Sequence, residues 1–244
     1  MTALLEACLN GSCTRAEHPG IPRTPGELAA EARAAVEAGA RVVHLHPYDD
    51  AGAETLAAGP CAAAMRAVRA ACPGTPISLS TSEEIEPDPR RRMRLVASWS
   101  EQPDLVTANQ GEAGIVELCH FLTGRGVGIE AGLLSLADAN LFVRAAIAER
   151  CVRVLVEPLD ADPAAAVAHA EAMENVLLGA AIDLEQVHHG DGLATWHVMA
   201  RAVVRGHGIR AGLEDSTLLP DGQLAAGNGA LVRVAAEMLQ RDAP

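Results

Sequence analysis

The sequence predicts an α/β fold, a single (β/α)8 barrel over residues 1–244, and three observations carry that expectation. Short β-like runs alternate about eight times with longer Ala-rich amphipathic runs. The units are even in length, with no linker or low-complexity break between them. No GxGxxG stands at a strand-to-helix turn, which counts against a doubly wound sheet. A chain of 244 residues is also the usual size of one such barrel.

Taken in order, the first strand is expected at Ala3 to Leu9 and its helix near 25–39, where Thr24 or Pro25 makes a good start. The second strand, Arg41 to His46, leads to a helix near 57–71. Pro76 to Ser80 is followed by a helix near 88–99, and Leu105 to Ala108 by one near 112–124. Val127 to Ala131 precedes a helix near 136–150. Val152 to Glu157 precedes one near 163–178, where Asp162-Pro163 joins an N-cap to a proline in the first turn. Leu184 to His188 and Ile209 to Leu213 complete the strands, with helices near 192–205 and 226–240. Gly39, Gly124 and Gly206 follow helices, where a left-handed cap is wanted.

Composition narrows the partners. The formal net charge is −13, so a nucleic-acid backbone or an anionic membrane surface would be repelled, and a small molecule is the expected partner. Six cysteines without C-x-x-C spacing, and an N-terminus without a basic leader, read as reduced thiols in a cytoplasmic protein. No apolar stretch reaches the length of a membrane span. All 19 basic residues are Arg, which excludes Schiff-base chemistry and a P-loop lysine. Carbanion chemistry beside a carbonyl would then fall to a metal ion.

The expected strand ends are polar on one rim. Asn10 follows the first strand; Ser80 and Thr81 end the third, and Thr107 and Asn109 the fourth. Glu130, Glu157, His188 and His189 follow on the next three, and the eighth runs into Glu214 and Asp215. The second ends in RVVHLHPYDD, with His44 and His46 one residue apart on one face. Two imidazoles with Glu214, one strand removed once a barrel closes, make a three-ligand metal set. Arg210 is expected to grip Asp215 through a bidentate pair that holds it for proton transfer. Each signal also has a structural reading: a strand-end His satisfied by a carbonyl, or an acidic pair on a solvated turn.

Several segments together resemble the β-keto acid cleavage enzymes, the family of the 3-keto-5-aminohexanoate cleavage enzyme. They are CLNGSCTRAEHPGIPRTPGELAAEA, AGARVVHLH, ISLSTS, HGIRAGLEDS and GNGALVRVAA. HLH together with R-x-x-x-ED at this separation is the specific part. The resemblance implies one Zn²⁺ per chain on His44, His46 and Glu214, substrate contact at Ser80, and a base supplied by Asp215 with Arg210. It implies that a β-keto acid and acetyl-CoA give acetoacetate and a new acyl-CoA, through a zinc-stabilised enolate and retro-Claisen cleavage. Asn10, Thr81, Thr107 and Asn109 are expected to join Ser80 in holding substrate. A homo-oligomer, with a tetramer favoured, is implied as well.

The chain departs from the family pattern at Tyr48, at Ser82-Glu83, and at Gly11-Ser12-Cys13, where no glutamate follows the first-strand glycine. The last departure argues against an amino-bearing substrate. A class II aldolase-like or amidohydrolase-like barrel is the second reading, and a non-catalytic binding barrel the third.

Overall fold

The computed structural model describes residues 3–241. Eight parallel strands close in chain order into a barrel, each followed by a helix. The strands are β1 (Leu5–Cys8), β2 (Val42–Leu45), β3 (Ile77–Ser80), β4 (Leu105–Asn109), β5 (Gly128–Leu133), β6 (Cys151–Val156), β7 (Glu185–His188) and β8 (Gly208–Ala211). The helices are α1 (Pro25–Glu37), α2 (Ala58–Ala71), α3 (Pro89–Ala97), α4 (Ile115–Thr123), α5 (Leu136–Ala145), α6 (Pro163–Gly179), α7 (Ala194–Val204) and α8 (Asn228–Arg241). The ring is sealed by β1 and β8, with Leu5 opposite Ile209 and Glu6 opposite Arg210. All eight expected strands and helices are present, and the fold is the (β/α)8 barrel.

Local chemistry explains the helix ends. Thr24 caps α1 in a reciprocal capping box with Glu27, and Pro25 opens the helix. Asp162 accepts from the Ala165 N–H and caps α6. The helix expected at 112–124 starts only at Ile115, because Gly114 sits in the left-handed region at φ 73°. The helix expected at 136–150 stops at Ala145, because Ala146 turns left-handed at φ 53° and a short 3₁₀ turn, Ala148–Arg150, follows. Gly39 and Gly206 take positive φ as expected. Gly124 stays right-handed at φ −63°, and the left-handed turn falls two residues later at Gly126.

The main core lies between the sheet and the helices, where Val43, Leu45, Ile77, Leu79, Val106 and Ile129 meet the apolar helix faces. A second, small apolar cluster of Leu4, just before β1, with Val42, Leu105, Leu155 and Val187 from four strands fills part of the barrel interior. The sequence reading that polar groups gather only at one rim is corrected here. Glu6, Ser78, Glu130 and Arg153 are also buried within the barrel. Glu130 sits in the middle of β5 rather than at its end, and Arg153 pairs with it at 2.8 Å.

Between α6 and α7 a different charge cluster ties helices together. Glu174 receives Arg201 at 2.5 Å, Arg205 at 2.8 Å and His207 at 3.0 Å. Burial pushes the Glu174 carboxyl up, but hydrogen bonds from His207, Arg205 and Arg201 outweigh it and hold the pKa at about 2. A carboxyl lowered from 4.5 stabilises the fold above pH 4.5 and loses that contribution as pH falls through about 2. Glu174→Gln is therefore expected to cost about 1–2 kcal/mol near neutrality, since solvent screens the half-exposed Arg205. Thermal melts should show this gap constant above pH 4.5 and narrowing below it. A gap that widens on acidification would contradict the assignment.

Candidate active site

Carboxyl ends of the strands surround a cavity of about 540 Å³. His44 and His46 leave β2 side by side, with their Nε2 atoms 3.1 Å apart. Glu214 follows β8 and brings Oε1 to 3.7 Å from His44 Nε2 and 3.6 Å from His46 Nε2. Glycine makes that approach possible at two places. A Cβ on Gly212 would lie 1.8 Å from the Cys8 carbonyl oxygen, and one on Gly11 would lie 2.4 Å from Glu214 Cγ.

The outer nitrogens are held from behind. His46 Nδ1 meets Glu54 Oε1 at 2.5 Å, and His44 Nδ1 lies 3.2 Å from Ser78 Oγ and 3.3 Å from Thr107 Oγ1. Such partners orient metal-binding imidazoles. Burial alone would lower the His46 pKa, yet Glu214 and Glu54 raise it to about 9, while burial takes His44 down to about 3. The Nε2 atoms of His44 and His46 and Oε1 of Glu214 surround one position. Ligands at the 2.0–2.1 Å of a tetrahedral zinc site stand roughly 3.3 Å apart, close to the spacing found here. Glu214 Oε2 is buried without a hydrogen-bond partner. His44, His46 and Glu214 therefore fit a divalent transition metal.

Beside this set lies Asp215. Its Oδ1 takes Arg210 Nη2 at 3.1 Å, and its Oδ2 accepts from the Cys8 thiol at 2.9 Å. His189, wholly buried, sits between Asp215 and Glu157 at 3.4 Å from each. Burial pushes the Asp215 carboxyl up, but Arg210 and His189 hold it below its usual value. The expected bidentate grip is corrected: Arg210 uses one nitrogen, Nη2, for both Asp215 and Glu214, the latter at 2.8 Å.

Of the residues expected to hold substrate, Ser80, Thr107 and Asn109 line the cavity. Asn10 and Thr81 do not, because their polar atoms are engaged elsewhere. Asn10 donates to the carbonyls of His46 and Pro22 and accepts from the His46 N–H, so it braces the end of β2. Thr81 donates to the Thr107 carbonyl. His188, another rim candidate, faces outward and stacks on His207 at 4.7 Å. Sequence reasoning missed Glu54, Ser78 and Cys8. Ser78 alone carried a signal, as a polar residue two before Ser80 on the same face.

Comparison with known proteins bears on the family and the fold. The family model of the beta-keto acid cleavage enzyme matches residues 3–176 and again 131–242. The chain is 28% identical over 243 residues to a 3-keto-5-aminohexanoate cleavage enzyme of Fusobacterium nucleatum subsp. nucleatum, covering 94% of this chain and 88% of that protein. It is 26% identical to the enzyme of that name from Acetoanaerobium sticklandii, with the same coverage. Among solved structures, a binary complex of ObcA with oxaloacetate shares the fold at TM-score 0.71 and 19% identity. That match covers 91% of this chain and 64% of ObcA, just under two thirds of it. The 3-dehydroquinate dehydratase of Aquifex aeolicus VF5 shares the barrel at TM-score 0.62 and 13% identity, over 98% of both chains. With the family model matched across nearly its whole length, this chain belongs to the β-keto acid cleavage enzyme family.

Proposed function

We propose that the protein takes a β-keto acid and acetyl-CoA to acetoacetate and a new acyl-CoA, with one zinc ion on His44, His46 and Glu214. The observation that carries this reading is the three-ligand set standing beside a clamped carboxylate in one cavity. When bound, the ion supplies a fixed positive charge that polarises a carbonyl oxygen and so acidifies the neighbouring carbon. Asp215 then serves as the base that removes a proton between the keto and carboxylate groups. Arg210 and the Cys8 thiol hold its two oxygens in place. Ser80, Thr107 and Asn109 present polar groups to the substrate from β3 and β4. Glu214 is oriented by the same Arg210 nitrogen, so base and ligand keep a constant relation.

The charge of the cavity supports one class of substrate tail. Glu83, Glu84, Asp138, Glu157 and Asp191 join Glu214 and Asp215 on its wall beside the guanidinium of Arg210, while Glu112, also on the wall, is paired with Arg92. A β-keto acid with a cationic substituent fits that field, and one with a second carboxylate opposes it. This wall carries carboxylates where the sequence after Gly11 has none, and it favours an amino-bearing substrate in the present reading. The anionic phosphates of CoA belong outside it.

The test is incubation of zinc-loaded protein with acetyl-CoA and β-keto acids of similar size bearing cationic, neutral or anionic tails. Acetoacetate, followed by mass spectrometry, is expected to form fastest from the cationic member. Equal or faster turnover of the anionic member would remove the charge argument alone. If acetyl-CoA stays untouched with every acid, the aldolase or hydrolase reading moves ahead.

A further inference from the structure

A line of hydrogen bonds runs from His44 away from the cavity and into the barrel. His44 Nδ1 lies 3.2 Å from Ser78 Oγ, and the Ser78 hydroxyl donates to Glu130 Oε2 at 2.5 Å. Arg153 Nη1 donates to Glu130 Oε1 at 2.8 Å, and its Nε donates to Glu185 Oε2 at 3.0 Å. Ser78 and Glu130 are wholly buried. We propose that Ser78 and Glu130 are positioning residues that fix His44 as the Nδ1–H tautomer and so aim a bare Nε2 at the metal position. This rests on the reading of His44, His46 and Glu214 as metal ligands.

The direction of each bond follows from the groups. A carboxylate only accepts, and Glu130 accepts from both Arg153 and Ser78. A hydroxyl has a single hydrogen. Once Ser78 gives it to Glu130, Ser78 can offer His44 only a lone pair. The ring nitrogen facing it must then carry the hydrogen, and in a neutral imidazole the other nitrogen is bare. Glu6 does not displace Glu130 from this role. It lies 3.8 Å from Arg153 against 2.8 Å for Glu130, and neither of its oxygens has a hydrogen-bond partner among the described residues. Thr107 Oγ1, 3.3 Å from the same nitrogen, is the fallback acceptor on the cavity side. His46 Nδ1 is held by the shorter route of a direct bond to Glu54, which would leave its Nε2 for a bound metal.

Two measurements test this. In ¹⁵N NMR of the metal-free protein, His44 should be the Nδ1–H tautomer in the parent. In Glu130→Gln the side-chain NH₂ would face Ser78 and turn its hydroxyl hydrogen toward His44, so the tautomer should flip. Chelator competition should show zinc affinity falling about 10–100-fold in Ser78→Ala combined with Thr107→Val, the range for losing an outer partner of a ligand. Thermal melts identify any variant that misfolds, and the other variant then decides. An unchanged His44 tautomer in folded Glu130→Gln, or parental zinc affinity in the folded double variant, would overturn the proposal. A parent that binds no zinc would overturn the ligand reading beneath it, while the tautomer of the metal-free protein would still decide the relay.

Discussion

His46→Ala is expected to strip most of the metal and nearly all turnover while leaving the barrel folded. In the proposed ligand set the imidazole supplies one of three ligand atoms, so its loss should weaken metal binding by more than the roughly 10–100-fold that an outer partner is worth. The fold survives because β2 is held by its ladders to β1 and β3, and its end by the backbone of His46 rather than the ring: Asn10 accepts from the His46 N–H and donates to its carbonyl. Glu54 would lose its partner but keeps some contact with solvent, which limits the cost. Metal content by mass spectrometry, with circular dichroism as the fold control, reads the result. Full occupancy in a folded variant would contradict His46 as a ligand.

The barrel was legible because its signals are local and repeated. A buried parallel strand reads as a short apolar run, and a covering helix as an Ala-rich amphipathic one, so counting the alternation found all eight units. Helix ends were less legible where tertiary packing decides them. Gly124 looked like a left-handed cap, yet the chain continues right-handed and turns at Gly126. Nothing in LTGRGVG distinguishes the two glycines before the turn is built.

In the site, the residues that could be read were those whose chemistry is out of place in a strand. His44 and His46 interrupt an apolar run with period two, and Arg210 and Glu214 do so on β8 and just after it. Their partners were hidden for two reasons. Glu54 lies in the loop after β2, where an acidic residue is ordinary, and only the fold carries it back to His46 Nδ1. Cys8 passes for a core residue, since a thiol packs as a small hydrophobe, and its bond to Asp215 spans 207 positions. Asn10 and Thr81 show how a strand-end position is ambiguous. Such positions suggest substrate contact, but strand ends also need polar groups to satisfy backbone, and both of these bond to backbone carbonyls.

Asp215→Asn should leave metal binding near normal and lower turnover by about 10²–10⁴-fold, the range for losing a general base. That is about 3–5 kcal/mol of transition-state stabilisation. The amide keeps the size of the carboxylate, and Arg210 retains its bond to Glu214, so the ligand set should hold its geometry. What the amide loses is the ability to accept a proton. Arg210→Lys should not preserve activity, because an ammonium is a compact point charge and cannot reproduce the guanidinium placement that serves both carboxylates. Its kcat should fall along with that of Asp215→Asn, and metal content should fall further, since Glu214 loses its anchor. If folded, metal-loaded Asp215→Asn converts β-keto acid and acetyl-CoA at the parental rate, Asp215 is not the base. Glu157 then becomes the next carboxylate to replace, because it lines the same cavity and meets Asp215 through His189.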